Sequence, residues 1–170
     1  MNKKTIILVC LLCFVVGFPW IAMFIGMLFT PNPPLPEIRY GEFPFKLVYE
    51  TNGEEKIIED TIICKYDGIG SGSNGKWRKW KSQLASGNKE VILLKIANKQ
   101  YIYFLVGGPD YYMGDMPTYA TQKFIFPNAY IYDASQFMKH RTINADELLS
   151  EYGIKLISWE PSPPIVNSFK

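Results

Sequence analysis

The sequence predicts a mainly β protein, an antiparallel sandwich-like sheet pair or half-open barrel with one or two short helices, preceded by one N-terminal transmembrane helix. Three observations point there. The 170 residues carry 11 Tyr, 11 Phe and 4 Trp, side chains that pack well on a pleated surface. Apolar residues alternate at period two around an Asn-Gly pair. A long uncharged apolar run stands ahead of everything else.

That run extends from Thr5 to Phe29, 25 residues without a charge. At about 1.5 Å per residue it reaches about 37 Å, enough to cross about 30 Å of hydrocarbon with some tilt. Lys3 and Lys4 precede it and no Lys or Arg follows until Arg39. The bias of basic residues toward the cytoplasmic side then puts positions 1–4 in the cytoplasm and the rest outside. Pro19 is expected to kink the helix. A cleaved signal peptide is the rival reading, but small residues at the spacing a peptidase requires are missing around Pro19, Trp20 and Ile21.

Residues 30–36 hold four prolines and read as an extended spacer. The extracytoplasmic domain is expected over 37–160, followed by a flexible tail over 161–170. Phe43, Phe45, Leu47 and Tyr49 share one strand face, Asn52-Gly53 makes the turn, and Ile58, Ile62, Cys64 and Tyr66 return on one face with Asp60 at an edge or bulge position. A second hairpin turns at Asn98-Lys99; its two arms, 91–96 and 101–106, are so continuously apolar that both read as central strands. The stretch 123–132 reads as an edge or bulged strand because Pro127 interrupts it. Asn144 caps a helix that Asp146 and Glu147 start and Gly153 ends. A last strand covers 154–159.

Charge excludes one function class. With Lys3 and Lys4 set aside, 16 basic residues face 16 acidic ones, so the outer domain lacks the cationic excess that nucleic-acid binding needs. Cys10 and Cys13 lie in the apolar run, leaving Cys64 alone outside, and there is one histidine, His140. Neither a disulfide framework nor a Cys- or His-based zinc site can be built from that set. No cofactor and no metal are expected.

Two segments carry candidate binding residues. Lys76, Trp77, Arg78, Lys79, Trp80 and Lys81 interleave cations with indoles; Trp77, Trp80 and Leu84 would line one side of a short helix. Such a patch suits anionic lipid headgroups or an anionic surface polymer, while its structural alternative sends the indoles into the core. The loop over 107–119 sets Asp110, Tyr111, Tyr112 and Asp115 together, as a saccharide site would; the alternative is a loop that buries its own aromatics. The glycines of 70–76 match a dinucleotide-type spacing, but Trp77 stands where a phosphate loop needs Ser or Thr. A strand before them belongs to a hairpin, so a surface loop is the expected structure. Catalytic signatures are absent. His140, between Lys139 and Arg141, reads as an exposed residue of no special role.

Residues 41–50, 58–68, 79–82 and 111–115 resemble a group of small membrane-anchored or secreted proteins of Gram-positive bacteria to which no chemistry is assigned. The resemblance implies the outer address and a single outer domain, and it transfers no functional residue. The expectation is therefore a non-enzymatic, membrane-anchored binding module. Its partners would be the bilayer through its helix and an anionic lipid, a surface glycan or a larger membrane protein, with no nucleic acid. A glycan hydrolase using paired carboxylates and an accessory subunit of a membrane complex are the alternatives.

Overall fold

Asn52 and Gly53 both take positive φ, 54° and 76°, the backbone of a two-residue hairpin turn. They join β1 (Tyr40–Thr51) to β2 (Glu54–Gly72), with Thr51 opposite Glu54 and Tyr40 opposite Lys65. This computed structural model describes residues 29–72, 75–116, 129–137 and 139–170, together with Asn2, Phe18 and Gly26. As the alternation predicts, Phe43, Phe45, Leu47 and Tyr49 are buried on one face of β1, and Ile62 and Cys64 on β2.

The chain continues through β3 (Gly75–Leu84), β4 (Val91–Ala97), β5 (Gln100–Phe104), a short helix α1 (Pro109–Tyr112), β6 (Ala129–Asp133), β7 (His140–Ile143), α2 (Ala145–Tyr152) and β8 (Ile154–Pro161). The fold is mainly β and antiparallel, in two four-stranded sheets of order β3-β2-β1-β8 and β4-β5-β6-β7. The helix over 145–152 forms as its caps dictate. Asn144 Oδ1 accepts the Glu147 N–H at 2.8 Å, and Gly153 closes the end in the left-handed region at φ 63°.

By its packing the chain forms two compact units. One comprises Asp67–Lys79 with the described residues up to Leu35, and the other comprises Pro36–Tyr66 with Trp80–Lys170. The larger unit holds the core, to which both sheets contribute. Trp159 on β8 packs against Phe45 on β1 at 5.1 Å and against Phe104 on β5 at 4.8 Å between ring centroids. The hydroxyl of Tyr49 donates to the Leu93 carbonyl of β4.

Five expectations are corrected. Residues 76–81 form part of strand β3 and no helix, because pairing beside β2 outweighs the weak local helical pattern. The glycines of 70–76 are largely strand as well, with positions 73–74 outside the described residues. Of the two apolar arms, only β5 is interior; β4 is the edge of its sheet, with bulges between Ile92 and Leu94 and between Lys95 and Ala97. Conversely, β6 is interior, paired with both β5 and β7, while Pro127 lies outside the described residues.

The fifth concerns the C-terminus. Residues 162–170 are held rather than loose. The Ile165 N–H donates to the Tyr112 carbonyl at 2.9 Å, and the Asn167 side chain accepts from the Ile38 N–H and donates to the carbonyls of Ile38 and Met113. Phe169 pairs with Pro36 in an isolated bridge. Prolines remove backbone donors, but one asparagine satisfies the backbone of two neighbouring segments.

The expected anchor over 5–29 lies outside the described residues apart from Phe18, Gly26 and Phe29, which are helical. Among the described residues no helix is long and apolar enough to cross a membrane.

Candidate functional site

The sequence-predicted residues divide between the two units. In the smaller one, Trp77 is 49 % exposed and lies on a track made by Gly70 and Gly72. A Cβ at Gly70 would sit 2.6 Å from Trp77 Cε2, and one at Gly72 would sit 3.3 Å from the ring's far edge. Glycine is thus required at the first position for the indole to lie flat there. The cations around it are anchored. Lys76 Nζ donates to Asn32 Oδ1 at 3.1 Å and Arg78 Nη1 to the Pro34 carbonyl at 3.2 Å, so the Pro-rich spacer is tied to the hairpin. Lys79 pairs with Asp67 at 3.1 Å. A strand, unlike a helix, sends Trp77 and Trp80 to opposite faces. No helix begins after the glycines, so the helix N-terminus that a phosphate loop uses is missing there.

In the larger unit, Trp80 is buried, 9 % exposed, with its Nε1 donating to Asp115 Oδ2 at 2.7 Å. That bond joins the two segments which the sequence singled out. Tyr66 meets Trp80 edge-on at 5.4 Å and carries the Arg39 guanidinium over its ring at 5.8 Å. The loop that follows β5 turns through α1, where Asp115 N–H donates to the Asp110 carbonyl at 2.9 Å. Asp110 is exposed along one side, yet loss of water around its carboxyl, and then repulsion from Asp115, push its pKa up.

The aromatics of this loop are not an exposed platform. Tyr112 is fully buried, its hydroxyl donates to the Val106 carbonyl, and burial drives its pKa up. Tyr111 is half-buried, with its ring edge-on to Tyr112 at 5.1 Å. The expectation of tyrosines open to a sugar ring is therefore corrected: the helical turn points Tyr112 at Phe43, 5.0 Å away. Lys81 is exposed on the face of β3 opposite Trp80. Cys64 is a fully buried free thiol, pushed up to about 11 by burial and then by Asp110, which keeps it protonated and inert as a nucleophile at neutral pH.

One group escaped the sequence reading. Tyr101 and Tyr103 on β5 lie opposite Tyr132 and Tyr130 on β6, and their rings stack in pairs at 4.9 Å and 5.6 Å. His140 on β7 extends this layer, with Nδ1 3.0 Å from the Tyr103 hydroxyl and its ring 5.0 Å from Tyr132. Burial, then a hydrogen bond with Glu90, pushes Tyr101 up to about 12. The signal was the repeated Tyr-x-Tyr pattern in two stretches at strand period.

Among the described residues no group of three or more His, Cys, Asp or Glu is placed to hold a metal ion. No known protein family, characterised protein or solved structure matches this chain.

Proposed function

We propose that this chain is a single-pass membrane protein with a cytoplasmic N-terminus, whose extracytoplasmic β domain is a non-enzymatic binding module. Its β2–β3 hairpin rests on anionic lipid headgroups. The observation that carries this reading is the tie between hairpin and spacer. Lys76 and Arg78 bond Asn32 and Pro34, three and five residues beyond Phe29, the last residue of the uncharged apolar run. Anything tied that closely to the end of a membrane span sits in the headgroup layer. An exposed tryptophan beside lysine and arginine suits that layer, with the indole at the apolar boundary and the cations on phosphate.

The test uses the full chain in vesicles with brominated acyl chains, with and without phosphatidylglycerol. The emission of Trp77, isolated as the difference between the native chain and Trp77→Phe, is quenched when anionic lipid is present. Unquenched emission in both vesicles rejects the headgroup contact. Topology is read separately: Asn52→Cys, with Cys10, Cys13 and Cys64 replaced by alanine, reacts with an impermeant maleimide on intact cells. Labelling that requires lysis rejects the outer address.

A glycan hydrolase is the second reading. It is favoured by the placement of Asp110 beside Asp115, a carboxylate held by the Trp80 indole; burial and then Asp115 raise the Asp110 pKa. Glycan turnover by the native chain that Asp110→Asn abolishes would establish it.

A further inference from the structure

Phe137 has its entire side chain in solvent. A phenylalanine so placed forgoes the stabilisation that burial brings. Beside it, against β6 and the edge strand β7, lies a cavity of about 690 Å³, within the roughly 300–1,000 Å³ of small-molecule sites. We propose that this cleft binds a short uncharged saccharide, with Phe137 as the ring on which a sugar's C–H face stacks. This site is distinct from the lipid-facing hairpin and does not rest on that reading.

The chemistry of the walls argues for the ligand. The floor is the buried Ile131, and Tyr152 of α2 supplies a second aromatic side. Between them stand polar groups that are already fixed. Asp133 Oδ1 accepts the Ser135 N–H at 2.9 Å and the Ser135 hydroxyl at 2.6 Å, which holds its carboxyl ionised, while Gln100 Nε2 donates to Oδ2 at 3.3 Å. On the facing strand, Arg141 is clamped to Glu147 at 2.6 Å. A carboxylate, an amide and a guanidinium fixed in this way offer acceptors and donors to hydroxyl groups without being reordered on binding.

Charge narrows the class further. Lys139 and Arg141 are balanced by Asp133 and Glu147 around this cleft, so nothing there selects a phosphate or a polyanion. A wholly apolar ligand would strip water from the same groups and leave their remaining donors and acceptors unmet. A polyhydroxylated ring with an apolar face satisfies both surfaces. The wall at β7 is supported from behind, since His140 is held by the Tyr103 hydroxyl and by Tyr132.

The experiment is titration calorimetry of the full chain in nanodiscs with two probes, N,N′,N″-triacetylchitotriose and maltotriose. At least one is expected to bind, and Phe137→Ala to weaken it at least tenfold. Because Phe137 is fully exposed, that variant keeps the native unfolding midpoint. Trp77→Ala, which removes the lipid contact, leaves saccharide affinity unchanged, so the two proposals fail independently. Binding of neither probe overturns the inference, and so does equal affinity of the native chain and Phe137→Ala.

Discussion

Trp77 and Trp80 stand three residues apart on β3 and meet opposite surroundings. Trp80 is enclosed, edge-on to Tyr66, with its one polar atom spent on Asp115. Trp77 lies open on two glycines, among cations whose bonds run to the spacer. A buried indole of this kind contributes to stability, whereas an exposed one leaves stability almost untouched and matters for what it touches. Composition alone makes the two equivalent. Strand parity separates them.

The comparison can be broken by substitution. Trp80→Ala removes a large buried side chain and its hydrogen bond to Asp115, so chemical denaturation of the variant should reveal a loss of about 3–5 kcal/mol. A loss below about 1 kcal/mol would mean that Trp80 is as dispensable as Trp77. Gly114→Ala comes next. Gly114 has φ 64° and a Cβ there would lie 2.5 Å from the Ile165 carbonyl oxygen, so about 1–3 kcal/mol is expected to be lost. Hydrogen exchange should quicken first at residues 162–170; if it does not, the contact with this turn is not what holds them.

Smaller effects sharpen the contrast. Gly70→Ala pushes the Trp77 ring off its track and should reduce the quenching of its emission by brominated lipid. Trp77→Ala itself should change stability by no more than about 0.5 kcal/mol. A large loss from Trp77→Ala would assign this indole to the core instead.

Asp110 gives the smallest effect, in stability against pH. Its folded pKa lies above its ordinary value of 3.8, so the folded state resists its ionisation. The resulting destabilisation is fully present above the folded pKa and is relieved as pH falls through it toward 3.8. Asp110→Asn should therefore melt slightly higher than the native chain at pH 7, with the gap closing in acid. A gap that widens on acidification would reverse the sign.

What the sequence revealed follows from how local each cause is. Asn52-Gly53 and the Asn144–Gly153 pair act within a few residues, and the hairpin and helix they predict are present. The β3 strand was not legible, because Trp77, Trp80 and Leu84 satisfy a helical spacing, whereas only Trp80 and Leu84 share a strand face, and pairing with β2 overrides the local pattern. A polar run of Lys139, His140 and Arg141 hid β7, whose apolar content comes from Ile143 at its end. For the candidate site, both segments were found, but the Trp80–Asp115 bond that joins them spans 35 positions. The burial of Tyr112 depends on Phe43, which is more remote still in sequence.

The clasp formed by Pro36, Ile38, Asn167 and Phe169 has a consequence for vectorial synthesis. The entry of the larger unit is locked through Asn167, which leaves the ribosome 129 positions after Ile38, and β1 acquires its neighbour β8 only shortly before. Until β8 emerges, one edge of β1 has no partner, and the unit leaves the ribosome as an incomplete sheet. A stop between Pro161 and Asn167 would spare every strand and still release a chain whose segments around Ile38 and after β8 are unfastened. Quality-control proteases would meet that product as two adjacent loose ends.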